Sequence, residues 1–110
     1  MSLDSFDYEQ TVMGIIVNAG MCHSCAMQAI QQAKNGQQQE ASQLMAQAND
    51  ALRLAHEVQT QLIGMDEGVG KVPVHLIMVH AQDHLMNAML LKELAAEFID
   101  IYRQLAVREA

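Results

Sequence analysis

Tryptophan is absent from this 110-residue chain, proline occurs once (Pro73), and tyrosine and phenylalanine occur twice each. Cysteine occurs only at Cys22 and Cys25, too sparsely for a disulfide framework. Basic residues are also scarce. Six lysines and arginines stand against thirteen acidic residues, a formal net charge of -7. Nucleic-acid binders carry a basic patch, so that class is excluded as a general function. Long apolar runs are missing too. Stretches such as Leu76 to Val79 fall far short of the roughly 20 residues of a membrane span. No charged segment leads into an apolar one near Met1, so no signal peptide is expected, and a cytoplasmic location follows. What is present is 51% hydrophobic and 17% charged residues, the balance of a globular chain. Its length suits a single domain over 1–110.

Glycine and proline divide the chain into three segments. Breaks fall at Asn35-Gly36 and across Gly64, Gly68, Gly70 and Pro73. The intervening stretches, about 4–34, 37–63 and 73–107, repeat small or apolar residues at alternating spacings of four and three. That period belongs to helices packed along their length. The first seam is Val12, Ile16, Ala19, His23, Ala26, Ile30, Ala33. The second is Leu44, Ala48, Ala51, Ala55, Val58, Leu62. The third is Ile77, Ala81, His84, Ala88, Leu91, Ala95, Phe98, Tyr102, Leu105. No segment alternates with period two, so strands are not expected. The pattern predicts an all-α fold, an up-down-up antiparallel three-helix bundle, with Pro73 in the first turn of the third helix.

The third helix carries a second stripe: Leu76, Val79, Asp83, Met86, Leu90, Leu94. A helix apolar on two faces needs two partners, and a second copy of the chain is a natural one. Asp83 constrains that assembly. Around a symmetry axis, carboxylates about 4 Å apart repel by roughly 4 kcal/mol per pair, or about 12 kcal/mol for a trimer. That exceeds the stability of most small domains. A cation or shared protons must then sit on the axis, and an all-oxygen site suits Mg²⁺ or Ca²⁺.

Polar residues cluster in the same segment, Val79-His80-Ala81-Gln82-Asp83-His84-Leu85-Met86. At 100° per residue, Asp83 lies about 60° to one side of His80 and His84 about 40° to the other. His80 therefore stands at the boundary between the two stripes. Burying polar groups costs a few kcal/mol each unless they are satisfied, so clustering implies a purpose. Three purposes fit. His80 and His84 at i, i+4 suit a transition metal with Asp83 as third ligand. His80 alone suits nucleophilic catalysis, accepting a group at a ring nitrogen. A structural role, setting register in a helical adaptor, fits as well. A hydrolytic metal site would want a general base beside it, as in His-Glu-x-x-His, and no glutamate occupies the segment.

The same eight residues resemble the active-site signature of the lactose/cellobiose (N,N′-diacetylchitobiose) enzyme IIA family of the bacterial phosphoenolpyruvate-dependent sugar phosphotransferase system. Met13-Gly14-Ile15-Ile16, Glu57-Val58-Gln59-Thr60-Gln61-Leu62-Ile63 and the glycine-rich loop before the third helix extend the resemblance over nearly the whole chain. The resemblance implies a homotrimer of three-helix bundles. It implies that His80 takes phosphate from the phosphocarrier protein HPr and passes it to the cysteine of a IIB component. It implies that Asp83 from three chains holds Mg²⁺ on the axis. A membrane component, IIC, would carry the sugar, a β-linked disaccharide of cellobiose, chitobiose or lactose type, and this chain would not enter the membrane. His84, one turn from His80, is expected to donate a hydrogen bond to the phosphoryl group.

Other candidates carry less. Cys22-His23-Ser24-Cys25 has the Cys-x-x-Cys spacing of zinc and redox motifs, but no second ligand pair exists and the motif falls mid-helix. Packing residues are expected there, with His23 on the seam. His56 and His75 are expected to be structural or exposed. The methionines are expected to fill the core, with Met86 and Met89 bordering the His80 face.

Overall fold

The computed structural model describes residues 7–109, and they form three helices. These are α1 (Tyr8–Lys34), α2 (Gln38–Asp66) and α3 (Leu76–Glu109). They lie side by side in a rod of 60 × 20 × 19 Å. The expected all-α, up-down-up bundle is the observed one. Helix α1 is the central partner, packing against both others, while α2 and α3 touch each other less. Among the described residues α1 is the one helix that by length and composition could cross a membrane, with a mean hydropathy of 1.2 over its most apolar window. A third of that window is buried in the bundle.

Local chemistry sets the boundaries. Asp7 has extended backbone and its carboxylate accepts from the Gln10 N–H at 3.0 Å, so α1 begins at Tyr8. The expected start at Asp4 lies outside the described residues. At its other end the Gln37 N–H donates to Gln32 at 2.8 Å and the Gly36 N–H to Ala33 at 3.0 Å. This paired termination needs the left-handed backbone that Gly36 supplies at φ 81°.

Two expected boundaries shift. Helix α2 runs through Gly64 to Asp66 instead of stopping at Ile63. One glycine in a helix costs only about 1 kcal/mol, and the turn comes later, at Glu67. The Asp66 carboxylate then accepts from the N–H groups of Gly70 and Val72, at 3.3 and 2.9 Å, tying the loop to the end of α2. Helix α3 starts at Leu76, so Pro73 precedes it instead of opening it. The His75 carbonyl accepts from Met78 and Val79 and makes the first turn. The His75 N–H donates to the Tyr8 hydroxyl at 3.1 Å, and the two rings meet edge to face. The start of α3 is thus clasped to the start of α1.

The core is built largely from alanine. Ala19, Ala26, Ala48, Ala55, Ala81, Ala88 and Ala95 are fully buried, with Val12, Ile15, Cys22 and Leu85 as the largest enclosed side chains. The seams are close to those expected, with Ile15 in place of Ile16 as the enclosed isoleucine of α1, Leu105 exposed on α3, and two further corrections. His23 is exposed and Cys22 takes its place inward. On α3 the buried line is Met78, Ala81, Leu85, Ala88, Ala95, so Ile77 and Phe98 are exposed and His84 borders the seam half-buried. The cause is one of phase. Leu85, one residue on from His84, fills the inward position, which spares the bundle a buried imidazole.

Candidate functional site

Helix α3 brings His80, Asp83 and His84 to one end of the rod, near the clasped helix starts. One helical turn separates the two histidines, and their rings lie parallel, with centroids 5.9 Å apart and planes 9° apart. Parallel rings do not donate to one another. Among the described residues no side chain accepts from or donates to either imidazole, so their nitrogens stay open to an incoming group. His80 is exposed and His84 is half-buried. His84 leans on α1, where its Nε2 lies beside Gly20.

His80 opens onto a hollow of about 650 Å³ lined by Leu76, Ile77, Val79 and Asp83. On the far side of Asp83 a second groove of about 370 Å³ runs between α2, the 67–74 loop and α3. Leu62, Ile63, Val72, Val74 and Met78 line it. The imidazole therefore stands in apolar surroundings, which favour docking of a partner and exclusion of water.

Asp83 is exposed at the middle of the second stripe. Val79, Met86, Leu90 and Leu94, its neighbours there, are each between 44% and 56% exposed, and Leu76 is 84% exposed. These side chains have no cover within the chain. Asp83 also has no hydrogen-bond or ion-pair partner among the described residues, whereas Glu57, Glu67 and Asp100 each pair with a nearby base. As a metal site a single chain falls short. No group of three histidine, cysteine, aspartate or glutamate side chains gathers among the described residues. One carboxylate on an apolar face fits a hard cation only if other copies add theirs.

The remaining candidates separate from this site. Cys22 and Cys25 are both buried and unbridged. The Cys22 thiol donates to the Ala88 carbonyl at 3.8 Å on one neighbour, and the Cys25 thiol to Gln47 at 3.7 Å on the other. The two thiols point to different helices, so they do not form a chelating pair. Burial pushes the Cys22 thiol above its ordinary value, against a smaller opposing pull from Lys92. His56 is exposed on α2, and His75 is held by Tyr8. Met86 is exposed and Met89 half-buried, so α3 keeps one of the two methionines at its surface. Sequence reasoning passed over Gly20. Its signal was a glycine in mid-helix, but its contact with His84 lies 64 residues away along the chain.

Comparison with known proteins agrees with this architecture. Residues 10–103 match the family model described as "PTS system, Lactose/Cellobiose specific IIA subunit". The N,N′-diacetylchitobiose-specific EIIA component of Escherichia coli K12 is 48% identical over 99 residues, covering 90% of this chain and 85% of that one. The crystal structure of the cellobiose-specific enzyme IIA from Bacillus anthracis superposes with a TM-score of 0.87 at 43% identity, covering 96% and 98% of the two chains. The chitobiose IIA of E. coli, solved in solution in complex with HPr, superposes with a TM-score of 0.80 at 45% identity, covering 93% and 99%. With its three-helix bundle and a match to the family model across residues 10–103, the chain belongs to the lactose/cellobiose-specific IIA family of the phosphotransferase system.

Proposed function

We propose that this chain is a phosphoryl carrier whose His80 accepts phosphate from phosphorylated HPr and delivers it to the cysteine of a IIB component. The observation that carries this is the exposure of His80 at an apolar hollow, with no hydrogen-bond partner on either ring nitrogen among the described residues. Family membership and the HPr complex of a similar IIA give the partner. A lone pair on a His80 nitrogen attacks the phosphorus held on the carrier's histidine. The new N–P bond forms as the old one breaks, and the departing imidazole keeps the bonding pair. His80's other ring nitrogen gives up one proton and the carrier's ring regains one, so the exchange balances. Little covalent work falls to the protein, and positioning with exclusion of water supplies most of the catalysis.

His84 stands one helical turn from His80, its ring centroid 5.9 Å away, and so within a turn of any phosphoryl oxygens carried there. Its role is to donate a hydrogen bond to them. The exposed second stripe of α3 supports assembly as a homotrimer, with Asp83 from each chain near the axis. A hard divalent cation such as Mg²⁺, bound by those carboxylates, would neutralise their repulsion. The sugar is of the chitobiose or cellobiose type and meets the membrane component IIC, not this chain, which works in the cytoplasm. An adaptor without chemistry remains the second reading, favoured by the same exposed stripe, which needs a partner whether or not His80 reacts.

Incubation with phosphoenolpyruvate, enzyme I and HPr tests this. Intact mass spectrometry should show an acid-labile adduct of about 80 Da, the mass of one added phosphoryl group. The adduct should vanish in His80→Ala, whose alanine offers no nitrogen to phosphorylate. An unmodified wild type would favour the adaptor, and an adduct that survives His80→Ala would place the chemistry elsewhere.

A further inference from the structure

Three of the six glycines, Gly36, Gly68 and Gly70, have the positive φ that requires glycine. The other three lie inside helices, where glycine is a poor helix former and no backbone need explains it. At Gly14 and Gly64 an added Cβ would meet nothing within 4 Å. Gly20 differs. A Cβ there would stand 3.4 Å from Nε2 of His84, at the limit of ordinary contact. So of all six glycines, only Gly20 would bring an added Cβ into contact with a neighbour, and that neighbour belongs to the His80 cluster. The imidazole of His84 is in turn parallel to that of His80. A chain of contact therefore runs from the backbone of α1 through His84 to His80.

From these contacts we infer that Gly20 is a positioning residue for phosphoryl transfer, resting on the assignment of His80 as the phosphoryl acceptor. It leaves a notch in α1 that receives the tip of His84 and so fixes the plane of that ring beside His80. A single carbon at position 20 fits the notch at ordinary contact. A longer side chain does not. The Cβ of such a residue already stands 3.4 Å from Nε2 of His84, so the atoms beyond it compete with that ring for the notch. The His84 ring must then turn, and it loses the plane it shares with His80.

Four variants decide this: Gly20→Ala, Gly20→Leu, His84→Ala and the Gly20→Leu/His84→Ala double. Single-turnover transfer from phosphorylated HPr is followed against HPr concentration. Gly20→Ala stays within about twofold of wild type and melts no lower, since alanine is the better helix former. Gly20→Leu slows the limiting rate on the order of 100-fold, as ångström-scale misplacement does, while half-saturation hardly moves. The double variant is no slower than His84→Ala, because the clash has lost its target. A double variant slowed by the full leucine factor overturns the proposal, as does a Gly20→Leu that transfers at the wild-type rate. Gly20→Val carries the same expectations if the leucine variant does not fold. A second readout is independent of activity. In NMR spectra of ¹³C-labelled histidine, Gly20→Leu shifts the ring signals of both His84 and His80, and Gly14→Leu shifts neither. If wild type takes no phosphate, the phosphoryl-acceptor assignment fails and the spectra still judge the contact chain. If the rings do not respond, the positioning role fails even where phosphate is transferred.

Discussion

The two faces of α3 have similar hydropathy and opposite fates. Inward it presents Met78, Ala81, Leu85, Ala88 and Ala95, all buried. Outward it presents Leu76, Val79, Asp83, Met86, Leu90 and Leu94, all exposed within the single chain. The inner face is mostly alanine and the outer face mostly large side chains. Small residues let α3 approach α1 closely, whereas the larger area lies where this chain offers no cover. Burying large side chains is worth about 1.5–3 kcal/mol each, so the outer face is a substantial unused drive for association. A row of apolar residues therefore does not reveal which partner covers it. Residue size and the position of the one charged group are the better guides.

The largest test of that contrast is at Asp83. Asp83→Lys should leave a monomer of 12.2 kDa in light scattering, since three like charges still meet and no cation can bridge them. Asp83→Leu should remain a trimer, because it removes about 12 kcal/mol of repulsion together with the ligands. A wild type that is itself monomeric would erase the distinction between the faces. Next come two leucines compared in the Asp83→Lys background, where folding and assembly are uncoupled. Leu85→Ala should lower urea-measured stability by about 2–5 kcal/mol, as expected of a fully enclosed leucine. Leu90→Ala should change it by less than about 0.5 kcal/mol. Equal losses would mean that both faces are buried within one chain.

The smallest effect concerns pH. Burial keeps the Cys22 thiol neutral in the folded chain, above its ordinary value. Above about pH 9 the unfolded chain loses this proton while the folded chain keeps it, so the unfolded state gains and stability falls. The loss begins at the ordinary thiol value and is complete once pH passes the raised folded one. Below pH 9 Cys22 adds no pH dependence. Urea titrations between pH 7 and 10 should show the decline in wild type and a weaker one in Cys22→Ala. A thiol-reactive dye at pH 7 should label the folded chain slowly at both Cys22 and Cys25 and the unfolded chain quickly.

Most of the fold was legible because glycine at Asn35-Gly36 and the three alanine-rich seams are local signals. The alternating four-and-three spacing placed Val12, Ala48 and Ala81 inward correctly. It misplaced His23 and His84 by one residue, because Cys22 and Leu85 continue nearly the same stripe and only packing chooses between adjacent positions. The helix ends at Asp66 and Leu76 were missed for a related reason. Asp66 caps a loop through residues four and six further on, and the Tyr8–His75 clasp joins positions 67 apart. Proximity of His80, Asp83 and His84 was readable, since one helix carries all three. The orientation of the His80 and His84 rings was not.

Sequence alone determined the three helices, the one-turn spacing of His80 and His84, and the placement of Asp83 in an apolar stripe, because helical period is a local property of the backbone. Tertiary structure decided that Leu85 and not His84 takes the inward position on α3, and it seated His84 on Gly20. Both depend on how closely α1 and α3 approach, which no window of neighbouring residues encodes.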